Sequence, residues 1–219
     1  YMTVGTLTQI TVGIRYSRNF KISDCLGAIA DIVLNSDESP FDTNYFPNIE
    51  WVNNSEMRLI NRETEDYFHI TTDDLILRIT SDDNLVKDLR KVKGEILPFF
   101  EKSIFNKYGL ENIRRTGIIF SQKLTNLKEF EKKFVSSFIK DTDTVENVTM
   151  GFSRKMAVDE ALSKKGVNDY KKAIYGFRTN DDGNLIADLD FQHYFDPPIQ
   201  KIRDCSLDSF IDRAEEYLN

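Results

Sequence analysis

The chain has 219 residues, 40% of them hydrophobic and 12% aromatic, enough to bury a substantial core as one domain or as two small halves sharing an interface. A formal net charge of -7 repels polyphosphate on average, which argues against nucleic acid as a partner unless a local basic patch works against the global field. No apolar run is long enough for a membrane span and no basic-then-apolar leader is visible. Cys25 and Cys205 lie far apart without CxxC spacing, so the expectation is a soluble, cytoplasmic protein with buried or idle thiols.

Along the chain, Tyr1 carries no argument and the native start is read as Met2. Residues Thr6 to Phe20 predict a strand, because Ile10, Val12, Ile14, Tyr16 and Phe20 fall on one face and Arg15, Ser17 and Asn19 on the other. Ser23 offers an N-cap for a helix carrying Leu26, Ile29, Ile32 and Val33, ending near Asn35. From Asn35 to Asn54 the prolines and turn formers of "SDESPFDTNYFPN" predict a loop. The run "MRLINRETEDYFHITTDDLILRIT" then predicts a strand meander turning at "TTDD". A long helix follows from an acidic "SDDN" cap. It places Leu85, Leu89, Val92, Ile96 and Phe99 on one face, is kinked by Pro98 and stops at Gly109, with Lys107 in its last turn.

The second half repeats this order. "RRTGIIFSQKL" predicts a strand, Asn126 and Glu129 cap a helix, and three strands follow at "ENVTMGFSRKM", "DYKKAIYGFR" and "NLIADLDFQHYF", before a terminal helix capped by Ser206. Aligning Gly13 on Gly117 matches Ile14 with Ile118, Tyr16 with Phe120 and Ser17 with Ser121, and preserves which residues face inward. The fold class predicted is α+β: two pseudo-repeated β-α-β-β-β-α halves, residues 1–110 and 111–219, with mainly antiparallel sheets, a long helix closing the first half, and both halves forming one compact unit.

The chemistry is sparse. "ADLDFQHYFD" gathers Asp188, Asp190, His193 and Asp196, the residue types of a metal site, but strand alternation puts His193 on the face opposite Asp188 and Asp190. No metal, cofactor or catalytic group is therefore expected. Asp188 and Asp190 remain a carboxylate pair suited to cation binding or acid-base work, or merely a solvated face. His69 faces away from Phe68 and Ile70 with no visible partner. No Gly-x-Ser-x-Gly, Walker or Gly-x-Gly-x-x-Gly pattern occurs. Arg114 and Arg115 are the candidate anion contacts, and Arg15 and Arg178 join them if the polar strand faces line one groove. The basic runs elsewhere are interleaved with acids and read as solvated helix faces.

The pieces "NYFPNIEW", "TTDDLILRIT", "RRTGIIFSQKL" and "LIADLDFQHYF", in this order, resemble a sporadically distributed family of uncharacterised bacterial proteins. The family's Gly-Leu-Arg-Tyr strand after the long helix is here "GIIF", whereas "GIRY" stands at Gly13 to Tyr16. The resemblance implies no established activity and supplies no catalytic residues; its sporadic distribution implies a multi-protein system concerned with defence or toxin control. The function expected is a non-enzymatic protein-binding or assembly subunit. Its partner would be another protein or a second copy, met through edge strands and through loop aromatics such as Tyr45 and Phe46. The alternative is a small-molecule or nucleotide binder, or a hydrolase, using a groove between the halves with Asp188, Asp190, Arg15 and Arg178.

Overall fold

The computed structural model describes residues 6–81, 85–123, 149–155, 163–164, 166–179 and 185–201. Among these residues, nine strands form a single antiparallel sheet: β1 (Thr6–Tyr16), β2 (Asn48–Asn53), β3 (Glu56–Asn61), β4 (Asp66–Thr71), β5 (Asp74–Thr80), β6 (Ile113–Lys123), β7 (Thr149–Lys155), β8 (Asn168–Thr179) and β9 (Leu185–Ile199). Their order across the sheet is β2-β3-β4-β5-β1-β6-β9-β8-β7. The first strands of the two sequence halves, β1 and β6, are therefore central neighbours, and the sheet is continuous through them. Their register pairs Gly13 with Gly117, the two glycines that the sequence alignment superimposes.

Alternation assigns the two faces. On one, Ile10, Val12, Ile14 and Tyr16 of β1, Leu75 and Leu77 of β5, Phe68 and Ile70 of β4, and Ile118 and Phe120 of β6 are buried. Helix α1 (Lys21–Asn35) covers this face with Ile22, Leu26, Ile29, Ala30 and Val33, at the spacing of a single apolar stripe. Ile22, Leu26, Ile29 and Val33 each contribute about 1.5–3 kcal/mol on full burial. The helix starts earlier than the sequence predicts. Asn19 Oδ1 accepts the Lys21 amide at 3.0 Å, so Ser23 lies inside the helix, and β1 ends at Tyr16, leaving Phe20 72% exposed rather than in the core.

After β5 the chain is helical from α2 (Leu85–Lys91) through a π-helical stretch Val92–Ile96, α3 (Leu97–Phe99), a second π stretch Phe100–Phe105 and α4 (Asn106–Tyr108). Pro98 has no amide hydrogen to donate, and helices absorb such a defect by widening their turns. Val92, Ile96 and Phe99 are buried as predicted; of the "SDDN" cap, Ser81 is buried and its Oγ donates to Asp88, whereas residues 82–84 lie outside the described residues, as do the side chains of Leu85 and Leu89, the predicted helix after Asn126, the terminal helix and Cys205. Phe100 packs 5.8 Å from Phe68, and Phe105 meets Tyr16 edge-on at 5.7 Å, which fastens this helical run to the sheet.

Two further expectations are corrected. The segment Asn35 to Asn54 is not loop throughout, since β2 pairs with β3 along its length. The first half thus places four strands, not three, after its helix. Tyr45 and Phe46 are not exposed loop aromatics: Phe46 is buried and packs with Phe41 at 5.1 Å, while Tyr45 OH donates to the buried Asp66 at 2.7 Å. No described helix is long and apolar enough to cross a membrane.

Candidate functional site

The second face of the sheet carries the polar residues. Register places them in rows across β5, β1, β6 and β9: Asp74, Arg15, Arg115 and Tyr194 in one row, then Ile76, Gly13, Gly117 and Gln192, then Arg78, Thr11, Ile119 and Asp190. The paired glycines remove two side chains from the middle row. Above them lies a depression of about 130 Å³ lined by Thr11, Asp74, Ile76, Arg115, Ile119, Asp190 and Gln192. A second hollow of about 380 Å³ adjoins it, sharing Thr11, Ile119 and Asp190 and extending to Arg78, Arg178 and Asp188.

Of the six candidate residues read from the sequence, five meet on this face. Arg15 makes a two-pronged ion pair with Asp74, 2.9 Å at each contact, and this pairing raises its pKa. Arg178 pairs with Asp188 at 2.9 Å, and Ser121 Oγ donates to the same carboxylate at 2.5 Å. Both ion pairs are already closed within the fold. Arg115 lies over the Tyr194 ring at 5.8 Å, and Asp190 accepts from Gln192 Nε2 at 2.5 Å. Burial pushes the Asp190 carboxyl above its ordinary range, against the opposing pull of the Gln192 hydrogen bond, Arg115 and Lys172.

Arg114 does not join them. It falls where the β1/β6 register shifts, and its Nε donates to Ser17 Oγ at 3.3 Å. Adjacent in sequence, Arg114 and Arg115 therefore do not form one anion clamp. The described residues show no cleft between two separate halves, since β1 and β6 are hydrogen-bonded neighbours; what the halves share there is the open face.

His193 lies on the opposite face from Asp188 and Asp190, as alternation requires. It is fully buried, with Nε2 2.8 Å from Asp169 Oδ2. The described residues hold no group of three His, Cys, Asp or Glu side chains arranged for a metal ion. His69 does have a partner: its Nε2 lies 2.8 Å from Glu56 on the neighbouring strand, and burial lowers its pKa.

Sequence reading misses Asp74 and Gln192, which complete the lining of the depression, and Tyr194, whose ring carries Arg115 beside it. Their roles depend on cross-strand register, and only the "TTDD" turn marks Asp74 locally. It also misses an apolar edge. On β2, Trp51 is 57% and Ile49 45% exposed, and a groove of about 550 Å³ runs between Trp51, Asn53 and Asn54 and the α1 residues Ser23, Asp24, Leu26 and Gly27. No protein-family model matches the chain, and no curated protein matches it.

Proposed function

We propose that the protein is a non-enzymatic binding subunit, built on a duplicated sheet, that engages another protein through edge strand β2 and Trp51. The observation that carries this reading is the outermost strand itself. Among the described residues β2 pairs on one side only, with β3, and of its exposed core-facing residues Ile49 and Trp51 the tryptophan lines the open groove beside α1. A free strand edge offers a ladder of backbone groups, and a half-exposed tryptophan beside it offers the large apolar anchor that dominates many interfaces.

Register supports duplication of the scaffold. Stepping outward from the central glycines, Gly13 leads to Ile76 and His69, and Gly117 leads to Gln192 and Lys172. On this correspondence Asp74 matches Asp190, and the buried Asp66 matches the buried Asp169. β2 stands outside the correspondence, as an addition to the first half that creates the proposed edge.

The test is a photocrosslinking amino acid placed at position 51 in cells of the source organism, with the same residue at exposed position 102 as control. A discrete adduct from position 51, absent from position 102 and lost when Val52→Pro disturbs the strand edge, is the expected result. Identical adducts from both positions, or none, would remove the basis for this reading.

A further inference from the structure

The depression above the glycine pair contains two opposite charges that do not meet. Arg115 and Asp190 both line it, and Arg115 acts electrostatically on Asp190, but the two form no ion pair. One residue holds them apart. The Tyr194 ring carries the Arg115 guanidinium, and the Tyr194 hydroxyl donates at 2.5 Å to Gln192 Oε1, whose amide nitrogen in turn holds Asp190 Oδ2. Among the described residues the second oxygen of this carboxylate, Oδ1, has no hydrogen-bond partner. The neighbouring carboxylate, Asp74, is occupied at both oxygens by Arg15 and does not compete.

The floor adds an independent observation. A glycine inside a strand weakens it, so such a residue marks a close approach of backbone or ligand. At Gly117 the protein supplies the reason, because a Cβ there would stand 3.1 Å from the Phe191 carbonyl oxygen. At Gly13 it supplies none: a Cβ would meet nothing within 4 Å. The space over Gly13 is kept open without any packing demand from the fold. Ile76 and Ile119 flank it with apolar surface, and Thr11 offers a hydroxyl.

From this geometry we infer that the depression binds a small zwitterion of α-amino-acid size, its carboxylate on Arg115, its ammonium on Asp190 and its carbon skeleton between Ile76 and Ile119 over Gly13. A fixed pair of opposite charges separated across about 130 Å³ selects a ligand carrying both charges over one carrying either. Lys172, which also acts on Asp190, disfavours simple cations there. The site is on the open face and does not rest on the binding role proposed for β2.

The experiment is isothermal titration and thermal shift of the full chain with glycine, alanine, serine, aspartate and γ-aminobutyrate, with acetate and methylammonium as single-charge probes. At least one zwitterion should bind and raise the melting temperature, while neither single-charge probe does so at equal concentration. Arg115→Gln and Asp190→Asn should each weaken binding at least tenfold. Gly13→Ala is the sharpest variant. Its methyl group enters empty space, so the protein should melt no lower than wild type, yet zwitterion binding should fall at least tenfold. Absence of binding across the panel, an equal response to acetate that survives Asp190→Asn, or full binding by Gly13→Ala would each overturn the assignment.

Discussion

Asp190 sits where burial opposes its charge, and the side chains around it compensate only in part. Burial raises its pKa in the folded chain above the ordinary carboxylate range, so the fold prefers the protonated acid. That preference stabilises the fold fully below the unfolded pKa and is lost as pH rises through the folded one. At neutral pH the ionised carboxylate is therefore a net cost. Asp190→Asn should raise the melting temperature of the ligand-free protein near pH 7, and the gap should close as the pH is lowered into the carboxylate range. A melting series across pH checks this, and a lower neutral-pH melting temperature for the variant would contradict it. Strand alternation alone separates His193 from Asp188 and Asp190, since that relation is local. It cannot show that His193 meets Asp169, that His69 meets Glu56, or that Tyr194 links Arg115 to Gln192. Those depend on which strands pair and in what register, information spread over the whole chain.

Elements with strong local signals are those that sequence places well. Gly109 ends the long helical run in the left-handed conformation, φ 63°, and the Leu110 amide donates back to the Phe105 carbonyl at 2.9 Å. A Cβ at Gly109 meets no neighbour, so Gly109→Ala isolates the backbone effect and should destabilise the protein by about 1 kcal/mol in urea denaturation. An unchanged midpoint would mean that the cap contributes nothing. β2 is harder to read because its sequence, NIEWVN, belongs to an edge: Ile49, Trp51 and Val52 are exposed while Asn48 and Glu50 are half-buried, and the preceding segment is rich in turn formers. The loop aromatics mislead for a related reason. Phe41 and Phe46 are drawn inward by Tyr45, whose hydroxyl donates to Asp66, a buried carboxylate that also accepts from the Thr80 amide at 2.5 Å and the Thr80 hydroxyl at 2.7 Å. Loop composition says nothing about an anchor that lies on another strand.

At the scale of the whole molecule, the boundary between the two halves expected from the sequence falls at the middle of the sheet. β1 and β6 pair along their length, and their inward residues Ile10, Val12, Ile14, Ile118 and Phe120 belong to one core cluster with residues from both halves. Cutting the chain between residues 110 and 111 would expose two long central strands, each with a row of unpaired backbone groups beside a bare apolar face. Residues 1–110 alone should therefore aggregate or remain unfolded. The intact chain should unfold as a single cooperative unit. Trp51, the sole tryptophan, lies on β2 at the far edge of the first half and reports on that half, whereas far-UV circular dichroism averages over the whole chain. In a urea titration the two signals should share one midpoint. Separate midpoints, or a soluble fragment of residues 1–110 that unfolds cooperatively, would show instead that each half is a domain and that the β1/β6 seam is an interface between domains rather than the centre of one core.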